Sequence, residues 1–414
     1  MGKKIMFIDE NKIVNYSGGI ERVICAMANE FIHRGYNVSI VCMDTENGVP
    51  FFALNRAINF INLAFEFGNG NFDDYKWFFK KVEKEALRAV AGSKMRLFGR
   101  KFEDPKKKYF YDEFISRLQN CIKETKPDII IPIGPDSAWI AWEAQEKSGM
   151  KQVPVLPMNH IDPTRVVFPE NNIIALRKCN VTQALLPIYV DTFRQLGVER
   201  VEVIPNIVPQ FKDDELVDLS KCKHRIIHVG RVDGDQKRQH LLIEAFALIA
   251  DRHPSWKVSL YGDISNKRYK GRLDRIIKKN KLEGRVIFEG VSENIYDEYK
   301  KSDIFVFPSG YEGFGLAITE AMSIGLPVLA YRSCKTLAAI VKDKETGILC
   351  DDGIESLANK LSFGIVGKSA PSGNTYNFWQ ENNNNISGAV NPGDVANSLT
   401  YEQTKQLSYY GGSR

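Results

Sequence analysis

The sequence predicts an α/β protein made of two Rossmann-like domains facing a central cleft, and three observations carry that prediction. The chain has 414 residues, too many for one ordinary hydrophobic core, so two domains follow. In both halves short apolar runs alternate with amphipathic stretches, the pattern of parallel strands joined by crossover helices. Glycine-containing loops follow several of those runs, where ligands of open parallel sheets collect.

In the first half, strands are expected at Ile5 to Ile8, Val38 to Cys42, Ile58 to Leu63, Ile129 to Ile133, Val153 to Met158 and Ala184 to Leu186, and a helix at Glu21 to His33. Gly18 and Gly19 lie between the first strand and that helix. Glycine lets a backbone approach an anion closely, and the free amides of a helix start attract one. A plain tight turn explains the same pair. His160 lies just beyond the fifth expected strand, at the carboxyl end where a ligand would sit.

A long insertion, 65–126, interrupts this alternation. From Lys76 to Lys108 it has twelve Lys or Arg against four Asp or Glu, interleaved with Trp77, Phe78, Phe79, Leu97, Phe98 and Phe102. That composition predicts an interfacial helix lying on anionic lipid. A solvated charged face is the competing reading.

Residues 1–195 are thus expected to form the first domain and 196–362 the second. Strands are expected at Arg225 to Val229, Val258 to Tyr261, Val286 to Phe288, Ile304 to Phe307 and Val328 to Tyr331. Helices are expected near His240 to Asp251, Tyr269 to Lys279 and Ala317 to Ser323. The first of these strands runs into Gly230-Arg231, with Lys237 six residues on, a cation pair that can neutralise a diphosphate bound or leaving. Asp233-Gly234-Asp235 between them reads as a turn.

The most informative stretch is Pro308 to Val328. A strand ends, and a loop containing Gly313, Phe314, Gly315 and Leu316 presents backbone amides. The helix that follows points its positive end at whatever the loop holds, an anion cradle. Glu320, one turn inside, can accept both hydroxyls of a ribose, and Glu312 on the loop can reach a sugar.

At these residues the chain resembles the family 4 retaining glycosyltransferases of GT-B fold, which carry two glutamates seven residues apart in such a run. The resemblance covers roughly residues 3 to 360 and includes Gly18-Gly19, His160, Pro205-Asn206, Gly230-Arg231, Lys237, Glu289-Gly290 and Glu312 to Pro327. It implies Arg231 and Lys237 on the donor diphosphate, Glu320 on the ribose and Glu312 on the transferred sugar. The amides of Phe314, Gly315, Leu316 and Gly19 would close around phosphates and sugar. His160 would contact the sugar from the first domain, and the loop after Val286 would hold the base. Arg231, Glu312, Lys237 and His160 are therefore the candidate catalytic residues. The resemblance also implies a nucleotide-sugar donor, UDP- or GDP-linked, a glycan or lipid-linked acceptor, retention at the anomeric carbon, and no metal or other cofactor. Asp233-Gly234-Asp235 spells a metal-binding signature that belongs to glycosyltransferases of a different fold.

Two departures stand out. Gly262 is alone where the family has a Gly-x-Gly turn. From residue 363 the resemblance ends, and 363–414 holds only six charged residues and an Asn run, an atypical and disordered-looking tail. Other classes fit less well. A catalytically silent nucleotide-sugar-binding partner would not need both glutamates and the cation pair, and an epimerase would need acid/base carboxylates of its own, which these motifs do not supply.

Bulk properties narrow the rest. The formal charge of +5 and the 43% hydrophobic content fit neither a nucleic-acid binder nor a membrane bundle. The N-terminal apolar run is too short for a signal peptide. A cytoplasmic enzyme with peripheral contact on the inner face of the plasma membrane is expected. Seven cysteines without a Cys-x-x-Cys pair predict free thiols rather than disulfides or zinc.

Overall fold

The computed structural model describes residues 2–68, 74–91, 96–97, 100–101 and 104–369. Most of the expected tail, 370–414, and insertion residues 92–95, 98–99 and 102–103 lie outside the described residues. The chain divides into two compact units. The first comprises 2–184 and Tyr189–Val203, and the second Leu185–Ile188 and the described residues from Ile204 on.

The first unit runs in the order β1 (Lys4–Asp9), α1 (Gly19–His33), β2 (Asn37–Cys42), β3 (Asn59–Asn62), α2 (Asp74–Ala91), β4 (Arg96–Leu97), β5 (Arg100–Lys101), α3 (Pro105–Thr125), β6 (Ile129–Pro132), α4 (Gly134–Ser148), α5 (Glu170–Lys178), β7 (Thr182–Ala184), α6 (Val190–Gln195) and β8 (Val201–Val203). Its main sheet is parallel in the order β3-β2-β1-β6. The strand expected at Val153 to Met158 is reduced to isolated bridges, Ile130 with Val155 and Ile133 with Met158. Ile130 N donates to Pro154 O, Leu156 N to Ile130 O and Met158 N to Pro132 O, but Pro132 in β6 has no N–H to return to Leu156 O, so the ladder breaks into separate bridges. The expected boundary at 195/196 falls inside this unit, because β8 pairs in parallel with β7 and keeps the chain there to Val203.

Among its described residues the insertion comprises α2, the antiparallel pair β4–β5 and α3. In α3, Tyr111, Phe114, Ile115, Leu118, Cys121 and Ile122 are buried, and Asp104 caps its start by accepting from the amides of Lys106 (3.0 Å) and Lys107 (3.3 Å). Lys106, Lys107 and Lys108 therefore open a core helix. Trp77 of α2 is partly buried against the same core, its ring 5.8 Å from Phe110 and capped by Lys106 Nζ at 4.2 Å. What α2 does expose is Phe78, Phe79, Val82 and Val90.

The second unit continues with β9 (Arg225–Val229), α7 (Gln239–Ala247), β10 (Lys257–Tyr261), α8 (Lys267–Lys279), β11 (Val286–Gly290), α9 (Ile295–Lys300), β12 (Ile304–Phe307), α10 (Leu316–Ser323), β13 (Val328–Tyr331), α11 (Lys335–Ile340), β14 (Ile348–Cys350) and α12 (Ile354–Ser369). Six parallel strands lie in the order β11-β10-β9-β12-β13-β14. Helices cover both faces, so interior strands such as β12 and β13 are apolar on both sides. The order reverses between β9 and β12, the switch point at whose carboxyl end an open α/β sheet forms its ligand crevice. Leu357, Ala358, Leu361 and Ile365 of α12 are buried in this unit's core, so the fold extends past residue 362, where the tail was expected to begin.

All seven cysteines are free thiols. Burial pushes Cys25, Cys121 and Cys350 up to about 12, which makes them packing groups rather than nucleophiles. No described helix is long and apolar enough to cross a membrane.

Candidate functional site

The crevice at the switch point is built by the loops after β9 and β12. Asp233 accepts from the amides of Asp235 (2.9 Å) and Gln236 (3.1 Å) and draws Arg231 Nε to 3.4 Å. Although burial raises its pKa, these amides and Arg231 hold the carboxyl below its ordinary value. The Asp-Gly-Asp sequence is thus a turn that places Arg231 and Lys237 on one loop.

That loop is fastened to the next at several points. Lys237 Nζ donates to Glu312 Oε1 at 2.7 Å, and the two side chains are only 14% and 7% exposed. Gln236 accepts from Arg231 NH2 (2.9 Å) while donating to the Tyr311 carbonyl (3.2 Å), and its own carbonyl accepts from Gly310 N (2.8 Å). Glu312 is braced from behind by Thr336, whose hydroxyl donates to the Glu312 carbonyl at 2.6 Å. Arg231 stays 53% exposed, a cation available to a ligand. Gly315 has φ +79°, a left-handed conformation that ends the loop and starts α10 without a side-chain cap. The first amides of α10 therefore face the loop, with Gly313, Phe314 and Leu316 around the turn. Glu320 is buried one turn into α10. The structure thus joins Arg231, Lys237 and Glu312 across the two loops, with Gly313, Phe314, Gly315 and Leu316 leading from Glu312 into α10.

Gly262 resolves the first departure noted above. It has φ +135°, and a Cβ there would collide with the Gly230 carbonyl. Its amide donates to Gly290 O (2.7 Å), while Gly230 N donates to Tyr261 O (2.8 Å) and Val232 N to Asp263 O (2.8 Å). Gly262 is thus a position at which the Gly230 backbone leaves no room for a side chain. Glu289 is engaged within the unit, accepting from Ser259 Oγ at 3.0 Å.

Sequence reasoning missed the buried support under this loop. His228 in β9 faces the Val306 carbonyl through Nδ1 (2.9 Å) and Gln239 Nε2 through Nε2 (3.2 Å). Gln239 also donates to the Arg231 carbonyl (2.8 Å) and accepts from Asp233 N (3.2 Å). The partners assign the Nδ1–H tautomer, since Val306 O can only accept and Gln239 Nε2 can only donate. The one signal was a histidine amid the apolar residues of β9. Burial, aided by the Lys237 charge, pushes this imidazole down from 6.5 to about 4. The unfolded chain takes up a proton near pH 6.5 and the folded one resists until about pH 4, so stability is full above that window and falls on acidification through it. The loss reaches about 3 kcal/mol. Urea titrations at pH 6.5 and pH 4 should show a smaller difference for His228→Gln than for the parent; an equal difference refutes this assignment.

Gly18, Gly19 and His160 belong to the first unit. Gly18 caps α1 with extended backbone, and the Glu21 carboxyl and Tyr16 ring lie against it, so a Cβ there would require those side chains to shift. Burial, with Asp9 nearby, pushes Glu21 up to about 7. His160 is half-buried and follows Asn159, which is locked to Gln183 by two 3.0 Å bonds. Both features lie on the carboxyl-end side of this unit's sheet.

Residues 212–368 match the family described as glycosyl transferases group 1. An uncharacterized glycosyltransferase of Haemophilus influenzae is 23% identical over 368 residues, 87% of this chain and 89% of its own. The poly(ribitol-phosphate) alpha-N-acetylglucosaminyltransferase of Staphylococcus aureus is 25% identical over 59% of this chain and 49% of its own. Among solved structures, Anabaena Alr3699/HepE in complex with UDP and glucose superposes with a TM-score of 0.69 at 19% identity, over 98% of this chain and 99% of that one. Sucrose-phosphate synthase from Thermosynechococcus elongatus gives 0.70 at 16%, over 98% and 100%. Two parallel Rossmann-like units with such neighbours define a GT-B protein. The segment 212–368 is a domain of the glycosyl transferases group 1 family, and the chain that carries it is a glycosyltransferase.

Proposed function

We propose that the chain is a family 4 type, retaining, metal-independent enzyme that moves a sugar from a nucleotide-sugar donor to a glycan or lipid-linked acceptor. The observation that carries this reading is the Lys237–Glu312 pair, held with Arg231 by Gln236 at the sheet's switch point. Arg231 and Lys237 bind the donor diphosphate, and Glu320 holds the ribose. Glu312 takes a hydroxyl of the transferred sugar, and the amides of Phe314, Gly315 and Leu316 hold phosphate oxygens against the start of α10. As the bond from the anomeric carbon to the phosphate oxygen breaks, the acceptor oxygen bonds that carbon from the same face. The acceptor proton passes to the departing phosphate, whose charge the two cations and the helix start stabilise. Gly18, Gly19 and His160 are assigned to phosphate and sugar by resemblance.

The relatives support a polymer or glycan acceptor. One of them, from Bacillus subtilis, is a poly(glycerol-phosphate) alpha-glucosyltransferase. Peripheral contact with anionic lipid on the cytoplasmic side belongs to the same proposal, through Phe78, Phe79 and Val82 of α2. Donor hydrolysis or transfer with UDP- and GDP-sugars should fall roughly 100- to 1,000-fold in Arg231→Ala, the size of one lost transition-state contact. The half-exposed side chain makes that variant a fair test of chemistry rather than folding, and unchanged turnover overturns the reading.

A further inference from the structure

Helix α8 carries seven Lys or Arg among its thirteen residues and a single acid, Asp274, which pairs with Lys270. Arg268, Arg272, Arg275 and Lys279 recur at i, i+4, i+7 and i+11, so they share one narrow face, and all four are exposed. None pairs with a carboxylate among the described residues; Arg275 Nε rests on the Gly271 carbonyl at 3.2 Å. Arg272, Arg275 and Lys279 surround a notch of about 330 Å³ floored by Ile276. The opposite face anchors the helix through buried Tyr269, Leu273 and Ile277.

This arrangement works against the helix. Like charges stacked along one face repel each other. Lys267, Arg268 and Lys270 sit in or near a first turn without any acid, where the helix dipole disfavours cations. Among the described residues the one acidic partner is Asp274 on Lys270, and it leaves the four aligned cations unpaired.

We propose that α8 is a docking rail for a linear polyanion, a chain bearing phosphate or sulfate groups at regular spacing. The four cations stand about 4.5 to 6 Å apart along the axis, at roughly 1.5 Å rise per residue, so successive anionic groups of an extended chain meet successive side chains. A flat lipid surface fits less well: no large apolar side chain is exposed on α8, and an interfacial helix needs such anchors. The rail is in the unit that carries the donor crevice, and it holds whether or not the proposed transfer chemistry is right, because binding is read without turnover.

The test uses the full chain and linear inorganic polyphosphate, with anisotropy as readout. Wild type should bind with a log-log salt slope of about 3, from ~0.7 per neutralised anionic group over four cations. Arg268→Gln/Arg272→Gln/Arg275→Gln/Lys279→Gln should weaken binding on the order of 100-fold, while the control Lys278→Gln/Lys281→Gln, off that face, stays near wild type. Circular dichroism confirms that both variants fold. Equal binding by wild type and the rail variant, or equal losses in rail variant and control, overturns the proposal. A third arm uses vesicles of phosphatidylcholine and phosphatidylglycerol. If the rail substitutions abolish vesicle binding but spare polyphosphate, the surface is a lipid contact and the proposal fails. Vesicle binding that survives the rail substitutions leaves α8 a polyanion rail and assigns lipid contact to another surface.

Discussion

Replacing Lys237 by Met is expected to cost both stability and activity, and the two losses should separate in a double variant. Lys237 and Glu312 meet at 2.7 Å with side chains 14% and 7% exposed, so removing the ammonium strands a buried carboxylate. Breaking a buried pair from one side costs about 3 kcal/mol or more, measurable as a lower urea midpoint with an unchanged slope. On the proposed mechanism transfer should also fall roughly 100- to 1,000-fold, the size of one lost contact to the developing charge. Lys237→Met/Glu312→Gln should regain most of the stability, since neither charge remains buried, and regain none of the activity. A single variant with wild-type turnover would show that Lys237 is a structural ion pair only. A double variant no more stable than the single would show that the stranded carboxylate was not the cause.

Gly262→Ala is expected to be the most damaging conservative change in the second unit. Its φ of +135° suits glycine, and the added methyl would meet the Gly230 carbonyl, which is backbone and cannot rotate away. Strain of about 1 to 3 kcal/mol comes with displacement of Gly230 and Arg231, so donor affinity should drop with stability. Gly284→Ala provides the comparison. It too has positive φ, +73°, but nothing lies within 4 Å of a Cβ, so it should cost only about 1 kcal/mol of left-handed backbone and, lying before β11 at the far end of the sheet, leave donor binding intact. Thermal shift with UDP- and GDP-sugars reads affinity, and urea unfolding reads stability. If the two variants behave alike, the contact with Gly230 is not what demands glycine.

The sequence alone determined strands β9 to β13 of the second unit, because parallel strands between two helical layers are apolar on both faces, whereas α9, α11, the short β14 and α12 were not read from it. The expected strands Arg225 to Val229, Ile304 to Phe307 and Val328 to Tyr331 coincide with β9, β12 and β13. The glycine turn into α10 was legible too, since turn chemistry is local. The first unit was less legible. Pro132, with no N–H for Leu156 O, broke an apolar run into bridges, and the composition of the insertion did not reveal that Trp77 and α3 pack into the core. Only the tertiary structure decided that Lys237 meets Glu312, 75 residues away, that Gln236 ties both to Arg231, and that His228 and Gln239 hold the loop from beneath. Those contacts depend on β12 lying beside β9 rather than beyond β11, and strand order is set by packing between distant segments, which no local pattern records.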